Sequence, residues 1–105
     1  MSDINSEKLN KFVADRNKFS IQTFGTIEQR NHVGPLMHLK KEIEEVINAP
    51  NDRLEWADCF LLLLDAAFRN GYSMQDLIDF GIEKLEINKK RTWTKNKDGT
   101  FSHVK

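Results

Sequence analysis

A chain of 105 residues is long enough for one domain and too short for two of ordinary size. Basic and acidic residues number 16 each, so the neutral chain has no overall field that would attract nucleic acid. The single cysteine, Cys59, excludes an internal disulfide, and we see neither a secretory signal nor an apolar run long enough for a membrane, so we expect a cytoplasmic protein.

Two helices are predicted in the first half of the chain. Apolar residues recur at helical spacing from Leu9 to Phe19, with Ser6 as the expected N-cap. The sequence from Gln22 to Gly25 reads as a loop, and residues 26–35 show no clear period. Gly34-Pro35 then precedes an apolar stripe that predicts a second helix from Pro35 to about Asn48.

A turn at Ala49-Pro50-Asn51 leads to the third predicted helix. Asn51 or Asp52 is the expected N-cap, and Asn70-Gly71 is expected to stop the helix at about Arg69. This segment is apolar almost all round after its first turn, so it should be covered on several sides. Because helices of this size cannot easily cover it, we expect a homodimer or a homotetramer.

The last part of the chain predicts a fourth helix and a short arm. Ser73 with Asp76 resembles a capping box for a helix that runs to about Arg91. Asp98-Gly99 lies between alternating residues, which predicts a short hairpin or an ordered arm. The predicted fold is therefore a single all-α domain over residues 1–105: a four-helix bundle with a central antiparallel helix hairpin and a short C-terminal arm.

Four acidic residues are placed symmetrically about Pro50. Glu45 and Glu55 lie five residues from it on either side, and Glu42 and Asp58 lie eight residues from it. Carboxylates three residues apart share a helix face. If the two helices fold back on each other, Glu45 faces Glu55 and Glu42 faces Asp58. Like-charge repulsion would make such a cluster costly unless a divalent cation offset it.

Each acidic pair also has an ordinary structural explanation. Exposed acids at this spacing usually mark a solvated helix face, and acids near a helix start are favoured by the helix dipole. With Asp52 as N-cap, Glu55 falls at the position that would close a capping box. The symmetric placement nevertheless favours one joint metal site.

The ligand chemistry narrows the metal and the substrate. Carboxylates on rigid helices suit Mg²⁺ or Mn²⁺ rather than zinc, and such ions commonly bind substrate phosphates. A carboxylate beside the ion could then remove a proton from a water that attacks phosphorus. A di-iron bundle would need Glu-x-x-His pairs, and the chain contains none.

Several motifs, in order, resemble a known family. The sequences His38-Leu-Lys-Lys-Glu42-Ile-Glu-Glu45 and Glu55-Trp-Ala-Asp58 resemble the signature of the MazG-like, all-α nucleoside triphosphate pyrophosphohydrolases. The resemblance is strongest to the small phage and bacterial dATP/dGTP diphosphohydrolases (MazZ-type), and it spans about residues 20 to 105. The further motifs that carry it are Phe24-Gly25, Gly34-Pro35-Leu36-Met-His38-Leu39, and Lys84-Leu85-Glu-Ile-Asn88-Lys-Lys-Arg91-Thr-Trp93. Lys41 departs from the broader family, which often has a glutamate there.

The resemblance implies a reaction and a set of site residues. It implies hydrolysis of a deoxynucleoside triphosphate, dATP or dGTP by preference, to the monophosphate and pyrophosphate. It also implies that Mg²⁺ is held by Glu42, Glu45, Glu55 and Asp58. Glu45, with Glu42 beside it, is our choice for the carboxylate that activates water.

Residues outside the acidic cluster could bind the substrate. Lys84, Asn88 and Arg91 are spaced to share one face of the last helix, where they could bind a triphosphate or simply favour the helix C-terminus. His38 lies one turn before Glu42 and would orient a carboxylate or contact substrate, although a lone histidine is more often a partly buried polar residue. Trp93, like Phe24, could stack on a base or pack in the core.

Two other functions stay open at this point. One is the same reaction on a pyrimidine or a non-standard nucleotide. The other is a non-catalytic helical dimer that binds a nucleotide or a protein, although the presence of all four acids argues against a degenerate site.

Overall fold

The computed structural model describes residues 5–104, which form four helices and one small sheet. In chain order these are α1 (Ser6–Phe24), α2 (Val33–Asn48), α3 (Arg53–Arg69), α4 (Met74–Lys89), β1 (Thr92–Lys95) and β2 (Phe101–Val104). The chain divides into two compact units, one ending at Met74 and the other beginning at Gln75. The prediction of an all-α fold with a short C-terminal arm is confirmed. None of the helices so described has the length and apolar character that a membrane crossing requires.

Both ends of α1 differ from the prediction by a few residues. The N-cap is Asn5, whose side chain accepts a hydrogen bond from the Lys8 N–H at 2.8 Å, and Ser6 is already helical. The helix continues through the predicted loop to Phe24, because nothing in that segment breaks it. It ends at Gly25, whose φ of 106° is a backbone conformation that glycine adopts readily.

The second helix begins two residues earlier than expected. Asn31 accepts a hydrogen bond from the Val33 N–H at 2.9 Å, so the helix starts at Val33 rather than at Pro35. Pro35 lies in the first turn, where a helix does not use the N–H that proline lacks.

The predicted helix hairpin about Pro50 is confirmed. Asp52 caps α3 by accepting a hydrogen bond from the Leu54 N–H at 3.0 Å. The Trp56 indole N–H donates to the Pro50 carbonyl at 2.9 Å and so ties the turn to the first turn of α3. This turn brings α2 and α3 alongside each other, so that their acidic residues can meet.

The side of α3 near its C-terminus packs against α1. Phe12 and Phe60 stack with ring centroids 6.2 Å apart, and the Arg16 guanidinium lies over the Phe68 ring at 5.1 Å. Among the described residues, however, only Leu64 and Ala66 are buried hydrophobic residues. The expectation that α3 is covered on several sides is therefore not met within a single chain.

Arg69 joins α3 to the loop between α1 and α2. Its side chain is fully buried and pairs with Asp65 one turn earlier, with 3.0 Å between Arg69 Nε and Asp65 Oδ2. The same guanidinium donates to four backbone carbonyls, those of Ser20, Gly25, Thr26 and Arg30. These bonds fix the path of the chain into α2, and therefore the start of the helix that carries the first acidic pair.

The second unit contains α4 and the β-hairpin. The helix begins directly after Ser73, as predicted, but it ends at Lys89, two residues before the expected limit. The antiparallel strands pair Trp93 with His103, and the rings of these two residues also meet edge to face. Gly99, with φ of 89°, forms the turn between the strands.

Candidate functional site

Three of the four predicted metal ligands converge between α2 and α3. One carboxylate oxygen from each of Glu42, Glu55 and Asp58 lies within 4.8 Å of the other two. Glu42 and Glu55 are half-buried and Asp58 is exposed, so the cluster opens to solvent on one side. Oxygen ligands at this spacing fit a hard divalent cation such as Mg²⁺ or Mn²⁺.

The capping role that Glu55 could have taken is not used. Asp52 is the N-cap of α3, but its own N–H donates to the Ala49 carbonyl at 3.1 Å rather than to the Glu55 side chain. A capping box would need that N–H. The Glu55 carboxylate is therefore available to the acidic cluster.

Repulsion within the cluster acts on Glu55. Desolvation raises the pKa of Glu55, and the negative charges of Asp52, Asp58, Glu45 and Glu42 raise it further. A bound cation would reverse the sign of this local field. This repulsion between carboxylates is the energetic cost that we expect from the symmetric placement of the four acidic residues about Pro50.

Glu45 lies near the cluster but outside its three-oxygen core. Its side chain is exposed, and it acts on Glu55 through its charge. The part of the chain that the structure describes therefore brings together Glu42, Glu55 and Asp58, while the ligand role of Glu45 stays a prediction.

Cys59 borders the cluster without belonging to it. Desolvation raises the pKa of the Cys59 thiol, and the neighbouring charges of Glu42, Asp58 and Glu55 raise it further. The thiol therefore stays protonated at neutral pH, which is unfavourable for a metal ligand.

His38 contacts Glu42 directly. The His38 Nε2 atom lies 3.2 Å from Glu42 Oε1, one helical turn along α2. The contact places His38 where it can orient one oxygen of a carboxylate in the cluster, and the orienting role itself stays a prediction.

A pocket of about 250 Å³ extends from the acidic cluster toward α1. Glu42, Asp58 and His38 line one part of it. Its remaining walls carry aromatic and aliphatic side chains together with three polar ones: Phe19, Phe24, Leu61, Leu62, Arg16, Ser20 and Asp65. Apolar walls with a few polar groups are typical of small-molecule sites.

The polar groups away from the cluster form one hydrogen-bonded set. Arg16 donates to Asp65 at 2.8 Å, the Ser20 hydroxyl donates to the same Asp65 oxygen, and Arg69 donates to the other oxygen. Burial acts to raise the pKa of Asp65, but the hydrogen bonds from Ser20, Arg16 and Arg69 outweigh it and lower the pKa. Asp65 is therefore a buried carboxylate that stays charged.

The roles of Arg16, Ser20 and Asp65 in lining the pocket were not predicted from the sequence. Arg16 lies at helical spacing within the apolar stripe of α1, and Asp65 is the one charged residue in the apolar run from Leu61 to Phe68. A charged residue inside an apolar stripe was the available signal, since buried charges are almost always paired.

The predicted phosphate-binding residues lie in the second unit. Lys84 and Asn88 are on α4, but Arg91 follows the end of the helix, so the prediction that all three share one helix face is wrong for Arg91. The Asn88 carbonyl accepts hydrogen bonds from the Arg91 N–H at 3.2 Å and from the Trp93 indole at 3.0 Å. The helix stops because the chain turns here into β1.

Residues 12–105 match the dATP/dGTP pyrophosphohydrolase family. The chain belongs to this family. The resemblance to MazG-like pyrophosphohydrolases that the motifs predicted is thereby confirmed, and so is the assignment to a family of hydrolases.

Two phage proteins are among the relatives of this family member. It is 54% identical over 50 residues to the Eaa protein of Salmonella phage P22, covering 48% of this chain and 16% of the relative. It is 37% identical over 70 residues to a dATP/dGTP diphosphohydrolase of Salmonella phage PMBT28, covering 66% of this chain and 23% of the relative. The pyrophosphohydrolase-family chain thus spans less than a quarter of the length of either protein.

A solved structure matches the family fold over nearly its whole length. The cyanophage S-2L MazG-like pyrophosphohydrolase, bound to dGDP and three catalytic Mn²⁺ ions per active site, superimposes with a TM-score of 0.75 and 28% identity. The match covers 92% of this chain and 97% of that protein. The neighbour binds a nucleotide and divalent cations, which is the chemistry that the acidic cluster predicts.

Proposed function

We propose that this chain hydrolyses dATP and dGTP to the monophosphate and pyrophosphate in a Mg²⁺-dependent reaction. The observation that carries the proposal is the convergence of Glu42, Glu55 and Asp58 at the edge of a pocket large enough for part of a nucleotide. Family membership and the nucleotide-bound cyanophage neighbour support the same reaction class.

Glu42, Glu55 and Asp58 are the proposed core ligands of the metal, and Glu45 completes the acidic set. Mg²⁺, or Mn²⁺ as in the cyanophage neighbour, would neutralise charge on the triphosphate and make a water more acidic. His38 holds one oxygen of Glu42 and so fixes the direction from which that carboxylate acts.

Glu45 is the proposed general base, with Glu42 beside it as the alternative. Its exposed carboxylate stands next to the three-oxygen core, where it can accept a proton from the attacking water. Water oxygen then bonds to the α-phosphorus, and the bond from that phosphorus to the α–β bridging oxygen breaks. Pyrophosphate leaves with the electron pair of the broken bond.

The triphosphate also needs cationic and hydrogen-bonding partners. We assign Lys84 and Arg91 to binding the negative charge of the triphosphate, since ammonium and guanidinium groups are the usual partners of phosphate oxygens. We assign Asn88 to a hydrogen bond with the substrate and Trp93 to packing or stacking. Asn88 would donate to a phosphate oxygen through its Nδ2 group, since the Oδ1 atom, which is buried without a hydrogen-bond partner among the described residues, can only accept.

The proposed active species is a homodimer or a homotetramer in the cytoplasm of the host cell. Large apolar side chains on α3 remain exposed in the single chain, including Leu54 at 62% and Phe60 at 49%. Exposed apolar surface of this kind favours self-association. Light scattering coupled to size exclusion would report the mass of the assembly, and a monomer at micromolar concentration would contradict this part.

The experiment that tests the function measures pyrophosphate release from a panel of deoxynucleoside triphosphates with Mg²⁺. We expect dATP and dGTP to be turned over, Glu45→Gln to be slow, and Glu44→Gln, which changes an exposed acid outside the cluster, to behave like the wild type. Faster turnover of a pyrimidine or a non-standard nucleotide would redirect the substrate assignment. No turnover of any nucleotide would leave the non-catalytic binding protein as the better account.

A further inference from the structure

The end of the pocket away from the acidic cluster carries a guanidinium that the proposed reaction does not use. Arg16 lines the pocket together with Ser20 and Asp65, and its side chain is only 8% exposed. Burying an arginine is costly, so a residue held in this way is expected to have a defined task or a defined set of partners.

Arg16 uses only some of its N–H groups in hydrogen bonds to neighbouring side chains. Nη1 donates to Asp65 at 2.8 Å and Nη2 donates to Asn17 at 2.5 Å. The remaining N–H groups of this guanidinium have no acceptor among residues 5–104. Arginine presents its donors as a rigid fork, so the unused donors are fixed in direction by the two bonds that are made.

An ion pair and a ring contact hold the guanidinium in place. Its positive charge is balanced by the Asp65 carboxylate, which also accepts hydrogen bonds from the Ser20 hydroxyl and from Arg69. One face of the guanidinium lies over the Phe68 ring, with 5.1 Å between Arg16 Cζ and the ring centroid. Donors fixed before the ligand arrives lose little freedom on binding, which favours specific recognition.

The walls near Arg16 suit a flat aromatic ligand. Phe19 and Phe24 line the pocket and meet edge to face with centroids 5.9 Å apart, and Leu61 and Leu62 complete the apolar lining. A nucleobase has apolar faces and a polar edge, so it can contact such walls and present its edge to Arg16.

We propose that Arg16 donates a hydrogen bond to N7 of a purine base bound in this pocket, and that Asp65 and Ser20 are positioning residues for Arg16. The inference rests on the proposed function, in which the acidic cluster at the other part of the pocket receives the phosphates. N7 is an acceptor in adenine and in guanine, and arginine commonly pairs with guanine through N7 and O6. Pyrimidines have no N7, so one arginine would accept both purines and reject both pyrimidines.

The test compares dATP and dGTP with their 7-deaza analogues, in which a C–H group replaces N7 and the shape of the base is kept. We expect the wild type to lose on the order of tenfold in kcat/KM with the analogues, mainly through KM, because a charge-assisted hydrogen bond is lost. Equal kcat/KM for dATP and 7-deaza-dATP in the wild type would overturn the proposal without any variant.

A matched pair of variants locates the effect. Arg16→Met keeps an aliphatic stem over Phe68 but removes the donors, so the analogues and the natural purines should be turned over equally. Lys18→Met removes an exposed cation from the same helix and should keep the wild-type preference. A preference that persists in Arg16→Met would contradict the assignment to Arg16.

A binding measurement separates this inference from the proposed reaction. If no triphosphate is hydrolysed, the proposed function fails, but calorimetry with dAMP and 7-deaza-dAMP still reports the N7 contact. Weaker binding of the analogue by about tenfold supports the contact, and equal binding overturns it. Hydrolysis without N7 discrimination overturns the inference alone and leaves the reaction in place.

Discussion

Glu42 on α2 and Glu55 on α3 hold carboxylate oxygens within 4.8 Å of each other, although 12 residues separate them in the chain. The helix hairpin about Pro50 brings the two helices together, although Glu42 lies eight residues from Pro50 and Glu55 only five. Two like charges at this separation destabilise the folded chain unless a cation lies near them. The proposed metal binding would therefore be coupled to the stability of the folded chain.

Divalent cations should raise the thermal unfolding midpoint. A ligand that binds only the folded state stabilises it by about 2.7 kcal/mol when its concentration is 100 times Kd. We expect an upward shift with Mg²⁺ or Mn²⁺, measured by calorimetry. Glu55→Gln should reduce the shift and Glu44→Gln should preserve it, while an unchanged wild-type midpoint at millimolar metal would argue against a preformed site.

Glu45→Gln should separate catalysis from metal binding. Glu45 lies outside the three-oxygen core, so its loss should leave Mn²⁺ affinity nearly unchanged, measured by calorimetric titration. Loss of a general base should slow turnover by about 10²–10⁴-fold. If Glu45→Gln also lost its affinity for Mn²⁺, Glu45 would instead be a metal ligand like Glu42, Glu55 and Asp58.

Arg69→Met should destabilise the fold more than any surface substitution. The change leaves Asp65 without one partner and removes the donor from four backbone carbonyls. Breaking a buried ion pair in this way costs about 3–5 kcal/mol, which urea unfolding would report. Arg53→Met, at an exposed position on the same helix, is the control and should stay near the wild type.

Asp65 should contribute to loss of stability in acid. Burial opposes its charge, but hydrogen bonds from Ser20, Arg16 and Arg69 lower the pKa of Asp65 in the folded chain. The unfolded chain then binds a proton more readily, so the contribution is fully present above the ordinary aspartate pKa and disappears as pH falls through the lowered value. The stability gap between wild type and Asp65→Asn should narrow over this range in urea unfolding, and a constant gap would contradict the assignment.

The exposed acid Asp15 on α1 supplies the control for this measurement. Asp15→Asn should leave the acid dependence of the wild type in place, because the described structure gives its side chain no ion pair. A similar change in the acid dependence of stability in both variants would mean that net charge, rather than the buried contacts of Asp65, determines how stability falls at low pH.

The hairpin and its acidic cluster could be predicted because both follow from local sequence. Asp52 caps α3 by accepting a hydrogen bond from the backbone of Leu54, two residues further along the chain. Residues three apart on a helix share one face regardless of the rest of the fold. The helix limits were less predictable. Helix α1 extends to Phe24 because the first break in its helical conformation is the positive φ at Gly25. Arg91 lies outside α4 because the chain turns into strand β1 after Lys89.

The polar end of the pocket could not be predicted from local pattern. Arg16 and Asp65 are 49 residues apart and meet only because α1 packs on α3. Nothing in the spacing of either helix identifies the partner, and an aliphatic stem lets arginine fit an apolar stripe. Pairing across helices is set by packing, which a single sequence does not display.

Phosphorus NMR of the products formed from dGTP tests the central claim most directly. With Mg²⁺ or Mn²⁺ and the wild-type chain, we predict resonances of dGMP and pyrophosphate that do not appear with Glu55→Gln and do appear with Glu44→Gln. Orthophosphate with dGDP, or unchanged dGTP in the presence of either metal, would contradict the account.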